Sequence, residues 1–175
     1  MRYPWRVNDD QIIRRLKDAV SWWGIRRASA EDVAEVEAAV GYPMPPLLKR
    51  IYLEVADGGE GGCLLVLSLT EPEYCCDGDQ GEHAEPLLSE CLSWVESFPR
   101  HRLDRSPTLV PLTGGCDTWT LIDYSTPQGN IWSWESSRLS DEDLTFAEWL
   151  VAKLDEWDAS AKRMSEPVDM ADLPW

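Results

Sequence analysis

Cys116, His101 and Asp123 are the side chains from which this chain could build a hydrolytic site. A thiol nucleophile needs an imidazole to take its proton, and a third group to orient that imidazole. His101 lies between Arg100 and Arg102. Cys116 follows a Gly-Gly turn into a Thr-rich stretch, and no orienting partner is legible for either. Cys116 therefore reads as a small packed thiol. Asp123 ends a strand-like run just before Ser125-Thr126-Pro127, where a lone carboxylate serves to close an Asx turn.

The remaining chemical motifs are incomplete. Asp77-Gly78-Asp79-Gln80-Gly81-Glu82 opens like a calcium loop, but the third Asp or Asn is missing and Leu88 stands where the bidentate Glu is needed. Gly58-Gly59 and Gly61-Gly62 are not followed by Lys-Ser/Thr, and they lead toward a strand, so they are not a phosphate cradle. The five cysteines (Cys63, Cys75, Cys76, Cys91 and Cys116) are odd in number and show no CxxC spacing. With only His83 near the Cys75-Cys76 pair, they make neither a zinc site nor a disulfide framework. The expectation is a chain without catalytic residues, metal or cofactor.

Charge points instead to a macromolecular partner. The formal net charge is −16, and it is unevenly spread. Residues 1–28 hold seven Lys or Arg against three Asp or Glu, whereas eleven carboxylates and no Lys or Arg lie between Arg50 and Arg100. Such a field repels nucleic acid phosphate and anionic lipid and steers a basic protein. The acidic stretch reads equally as a solubilising surface. No apolar run approaches the roughly 20 residues that span a bilayer. Met1 to Arg6 leads into a charged amphipathic helix rather than an apolar signal core. A cytoplasmic protein is expected.

The elements that would position these groups follow from periodicity. Asn8 and Gln11 read as a capping box for a helix through Ile12, Ile13, Leu16, Val20 and Trp23, ended by Gly24, with Arg14, Arg15 and Lys17 on a solvated face. Ser29 caps a second helix with Val33, Val36 and Val40 as its stripe, and Gly41 ends it. Pro43, Pro45 and Pro46 form an extended corner into a third helix through Leu47, Leu48, Ile51, Tyr52 and Val55, closed by Asp57-Gly58-Gly59.

Cys63 to Leu67 suits a strand buried on both sides. Glu71 to Glu85 reads as loop, and Leu87 to Val95 as helix. Leu109 to Leu112 is a short strand with Pro111 marking an edge or strand end. Thr118–Tyr124 and Asn130–Glu135 form an antiparallel hairpin across Ser125–Gly129, with Trp119, Leu121 and Asp123 on one face. Thr145 and Glu148 cap a final helix whose apolar side holds Phe146, Trp149, Leu150, Leu154 and Trp157, and the pattern fails after Ser160. Residues 166–175 read as a mobile acidic tail.

Taken in order, Glu37, Gly41, the proline corner, Leu47-Leu48-Lys49-Arg50-Ile51-Tyr52 and Asp57-Gly58-Gly59 resemble the SUKH superfamily. That group includes the Smi/Knr-type cell-wall regulators and many bacterial toxin-immunity proteins. Gly115-Cys116, Leu121-Ile122-Asp123, Gly129 before Ile131-Trp132-Ser133-Trp134, and Phe146-Ala147-Glu148-Trp149-Leu150 continue the likeness over residues 29–157. The chain departs from it at Met44, where Leu commonly precedes Pro, at Asp57, where Asn is usual, and in the long acidic segment after Leu69. The resemblance implies an α+β fold, a mostly antiparallel twisted sheet with packed helices. One domain is expected over residues 1–165, an amino-terminal helix (1–28) and the family-matching core (29–157).

The resemblance also implies a non-catalytic protein-binding domain, most simply an immunity protein that occludes a basic toxin domain. A regulatory or scaffold role like that of the cell-wall regulators is the alternative, and a hydrolase using Cys116 or Asp123 is the third reading. The expected contact residues are Glu73, Asp77, Asp79, Glu82 and Glu85, with Trp119 as an aromatic anchor.

Overall fold

Asn8 opens the first helix by accepting the Asp10 N–H on its side-chain oxygen at 2.9 Å, so the cap bonds the second helical residue instead of forming a box with Gln11. The structure is a computed structural model and describes residues 8–20, 26–58, 66–69, 73–74, 83–84, 87, 108–115, 118–135 and 138–165. Four helices are described: α1 (Asp9–Val20), α2 (Ala30–Val40), α3 (Pro46–Glu54) and α4 (Phe146–Ser165). Two short strands, β1 (Glu73–Tyr74) and β2 (His83–Ala84), form a small antiparallel ladder. The main sheet is an antiparallel meander in chain order: β3 (Leu109–Gly115), β4 (Thr118–Asp123), β5 (Asn130–Glu135) and β6 (Arg138–Thr145). This is the expected α+β architecture.

Local chemistry explains the helix ends. At α2, Ser29 Oγ accepts the Asp32 N–H at 3.1 Å and Asp32 Oδ2 accepts the Ser29 N–H at 2.7 Å, a complete capping box. The Ser29 N–H, and then its hydroxyl, hold the Asp32 carboxyl below its ordinary pKa. Gly41 ends α2 in the left-handed region (φ 78°) and donates its N–H to Glu37 O at 2.9 Å. Glu37 then ties the proline corner down. Its Oε1 accepts the Met44 N–H at 2.9 Å, and both its oxygens accept Lys49 Nζ at 3.1 Å. The family-matching acidic residue of this helix is thus the clasp that sets the α2–α3 angle.

Helices α1, α3 and α4 pack on one another and share a single apolar core with the sheet. Ile12 and Leu16 of α1, Leu48 and Ile51 of α3, and Leu150 and Leu154 of α4 are all buried in it. Each such side chain contributes about 1.5–3 kcal/mol. The basic face of α1 is not simply solvated. Arg15 reaches across to α4 and meets Asp155 at 2.9 Å and Asp158 at 2.7 Å, and Lys17 meets Glu54 of α3 at 3.3 Å. These exposed pairs orient the helices and add about 0–1 kcal/mol apiece.

The segment after α3 departs from the expected buried strand. Val66, Leu67 and Leu69 are buried, but residues 66–69 are irregular. Leu67 donates its N–H to Leu112 O at 2.8 Å, while its carbonyl accepts the buried Tyr52 hydroxyl at 2.7 Å. A side chain thus takes the place of a strand partner. Residues 63–65 lie outside the described residues, as do Trp23, Gly24 and the expected helix beyond Leu87.

Asp57 is 9% exposed, and its Oδ1 accepts the Leu69 N–H at 2.7 Å. Asp57→Ala is expected to cost about 1–3 kcal/mol by leaving that buried N–H unpaired, and Asp57→Asn, which keeps an acceptor, much less. Urea denaturation of the two variants checks the order.

In the main sheet the register shifts between Pro111 and Thr113, and Pro111 sits on edge strand β3 as expected. Gly114 and Gly115, expected as a turn, instead pair with Trp119 and Thr118. Asp123 closes the next turn by accepting the Ser125 N–H at 2.8 Å, the Asx role expected for it.

β6 is the other edge, with Asp141, Glu142 and Asp143 exposed on it and Asp143 at φ 51°. At α4 the Thr145–Glu148 capping box is present, with Thr145 N–H to Glu148 Oε2 at 2.9 Å and Glu148 N–H to Thr145 Oγ1 at 3.3 Å. The helix then runs on to Ser165, past the expected end near Ser160. Lys162 and Arg163 in its last turn complement the helix dipole.

A tryptophan groove between sheet and helix

Hairpin register and helical spacing together place four tryptophans around one concave surface. Trp119 of β4 pairs with Trp134 of β5, and Leu121 with Trp132, so these four share a face of the sheet. On α4, Trp149 and Trp157 stand eight residues apart, about 80° apart around the helix and so within one wide face of it. Trp119, Trp134, Trp149 and Trp157 are among the residues that line a groove of about 630 Å³. Thr113, Thr120 and Ser133 add hydroxyls from neighbouring strands, and Lys153, Glu156 and Ser160 line the helix side.

Trp149 is buried and stacks on Phe146, with ring centroids 6.2 Å apart and an interplanar angle of 22°. Trp119 and Trp157 are partly buried against the main core. The polar lining is largely self-contained. Lys153 Nζ bonds Glu156 Oε2 at 2.9 Å, Ser133 Oγ donates to Glu142, and Ser160 Oγ accepts from Arg163 at 3.0 Å. Among the described lining residues the groove holds one cation, Lys153, and one anion, Glu156, paired with each other. It can bind apolar and hydrogen-bonding surface, and its lining has no nucleophile-and-base couple of the kind hydrolysis needs.

A second, smaller depression of about 310 Å³ is lined by Asn130, Asp141, Asp143, Leu144, Thr145 and Glu148. Asp141 Oδ1 accepts the Asp143 N–H at 2.8 Å, and Glu148 is occupied by its cap. Among the described residues no group of three or more His, Cys, Asp or Glu is placed to hold a metal ion. No described helix is long and apolar enough to cross a membrane.

Of the expected contact residues, Trp119 lies in the groove, half-buried. Glu73 falls on β1 opposite Ala84, in the small ladder rather than in the main sheet. The expected loop from Glu71 to Glu85 thus contains a strand pair, Glu73–Tyr74 with His83–Ala84. Asp77, Asp79, Glu82 and Glu85 lie outside the described residues, as do His101, Cys116 and the other four cysteines.

The hairpin does not present an open aromatic face. Leu121 and Ile122, which point to opposite sides, are both fully buried, and Tyr42 is the exposed large hydrophobic residue among those described. Trp134, Trp149, Trp157 and Lys153 escaped the sequence reading as site residues. Counting register outward from the Ser125–Gly129 turn would have set Trp119 against Trp134.

No curated protein matches this chain. A family model does, and it covers the capping box of α2, the Glu37 clasp, the proline corner, the buried Asp57 and the whole hairpin sheet. The chain belongs to the SMI1/KNR4 family (SUKH-1), matched over residues 27–157.

Proposed function

We propose that this chain is an immunity protein that binds a cognate bacterial toxin in the cytoplasm and neutralises it by occlusion, without chemistry of its own. Membership of the SUKH-1 family carries the reading, because it supports a non-catalytic, protein-binding role. The charge distribution gives that role a direction. A toxin that attacks nucleic acid must be basic, and a chain of net charge −16, with eleven carboxylates and no Lys or Arg between Arg50 and Arg100, steers such a partner. Glu73, Asp77, Asp79, Glu82 and Glu85 are the proposed acceptors for its Arg and Lys side chains, with Trp119 as the aromatic anchor.

The test is co-expression with the toxin domain encoded beside this chain, followed by stopped-flow association at two salt concentrations. The association rate is expected to fall by about tenfold or more between low and high salt, and co-purification to fail in the Asp77→Lys/Asp79→Lys variant. A toxin held equally well by that variant removes the acidic segment from the interface. The regulatory or scaffold role is the alternative the family supports. It gains ground if a housekeeping protein binds the full chain and is lost when residues 166–175 are deleted.

A further inference from the structure

We infer that the groove between the sheet and α4 takes an arginine side chain presented by a basic protein partner. The inference rests on the protein-binding reading above and gives that partner a contact made by residues outside the acidic segment.

The floor and the wall of the groove differ in kind. Thr120 pairs with Thr113 on one side and with Ser133 on the other, and Thr118 and Ile122 follow the same alternation, so these residues share one face of the sheet. Ile122 belongs to the core that also holds Leu150 and Leu154 of α4, which makes this the face turned toward the helix. Trp119 and Trp134 alternate onto the other face. The floor is therefore a row of hydroxyls, and α4 supplies Trp149 and Trp157 as the wall. Trp149 is buried, whereas Trp157 is only partly covered.

Hydrogen-bonding capacity favours a ligand that only donates. A hydroxyl has one proton and two lone pairs, and a carboxylate has lone pairs alone. The Ser133 proton already goes to Glu142, so its oxygen meets a ligand purely as an acceptor. Two lining atoms already serve cations of this chain: Ser160 Oγ accepts from Arg163 at 3.0 Å and Glu156 Oε2 from Lys153 at 2.9 Å. A guanidinium carries five N–H groups and no acceptor, which suits such a lining. A carbonyl-rich or anionic segment would bring more acceptors to a surface that already has the larger share of them.

Charge and shape point the same way. Lys153 and Arg163 balance Glu142 and Glu156 at the groove, so the net −16 of the whole chain sets the field there and draws a cation. The Lys153–Glu156 pair is exposed on both sides and weak, so Glu156 can turn to an incoming guanidinium. Arginine suits the wall better than lysine, because its planar head stacks on an indole while its N–H groups bond sideways. A volume of about 630 Å³ has room for that head and its aliphatic stem.

The experiment is titration of the full-length chain with an acetylated, amidated pentapeptide of alternating serine and arginine, followed by calorimetry and by the indole N–H signals in NMR. The same peptide with lysine, citrulline or glutamate in place of arginine serves for comparison, citrulline keeping the shape without the charge. Saturable binding of the arginine peptide with a Kd of about 1 mM at low salt is expected, with a shift of the indole signal that Trp157→Ala removes. The lysine peptide is expected to bind about 3-fold or more weakly, and the citrulline and glutamate peptides more weakly still. Trp157→Ala and Glu156→Gln, each checked for folding by circular dichroism, are expected to weaken binding of the arginine peptide by about 2- to 10-fold.

Absence of saturation, equal binding of the lysine or citrulline peptide, or full affinity in both variants overturns the inference. Preferential binding of the glutamate peptide overturns it too. The two readings fail separately. Arginine-peptide binding without toxin capture leaves the groove and removes the immunity role. Toxin capture at full strength by both variants, without arginine-peptide binding, does the reverse.

Discussion

Gly129→Ala is expected to lower the unfolding free energy by about 2–5 kcal/mol, a large part of the 5–15 kcal/mol typical of a domain. Gly129 sits at φ 62°, where an L side chain costs about 1–2 kcal/mol. A methyl placed there would lie 2.7 Å from Ile122 Cδ1 and 3.2 Å from Pro45 Cγ. Ile122 is fully buried, so its end cannot swing aside without repacking the core, which adds about 1–3 kcal/mol. The Gly129 carbonyl also accepts the Phe146 N–H at 2.8 Å. The proline corner, the β4–β5 turn and the start of α4 therefore meet at one residue. Gly41→Ala is the built-in control. Its φ is 78°, but nothing lies within 4 Å of the added methyl, so only the conformational cost of about 1–2 kcal/mol is expected. Chemical denaturation of the two variants side by side separates strain from collision.

Phe146→Ala is expected to cost about 3–5 kcal/mol, because the ring is fully buried and supports Trp149 from below. The consequence should reach the groove, since Trp149 forms part of its wall. Near-UV circular dichroism should therefore change under conditions where the far-UV signal still reports folded protein. A double variant with Gly129→Ala is expected to fall short of the summed losses by more than 0.5 kcal/mol, because both residues serve the contact between the turn and the helix. Additivity would show that they act independently.

Much of this architecture could be read from residue order. The caps at Ser29 and Thr145, the αL glycine at position 41, Pro46 at the first turn of α3 and the β4–β5 hairpin are written in local chemistry, and each is found where its side chains require it. β6 was illegible because Arg138-Leu139-Ser140-Asp141-Glu142-Asp143 carries charged residues of low strand propensity. An edge strand tolerates them, since one of its sides faces water. The end of the expected Cys63–Leu67 strand, Val66 and Leu67, was misread for the opposite reason. Its apolar composition suits a strand, but a carbonyl claimed by the Tyr52 hydroxyl comes from a contact distant in sequence. The groove lies between these cases. Trp119 could be flagged alone, but its convergence with Trp149 and Trp157 depends on how α4 crosses the sheet, and no local pattern encodes that.

The acidic rim on the last strand of the meander bears on how the molecule behaves in a crowd. An unprotected outer strand is a template on which a second copy can extend the sheet and seed fibrils. Here two copies approaching through that border would press their Asp141, Glu142 and Asp143 carboxylates together, while the left-handed backbone at Asp143 bends the main-chain donors and acceptors out of line. Ribbon-like growth along this border is thereby opposed by both charge and backbone shape.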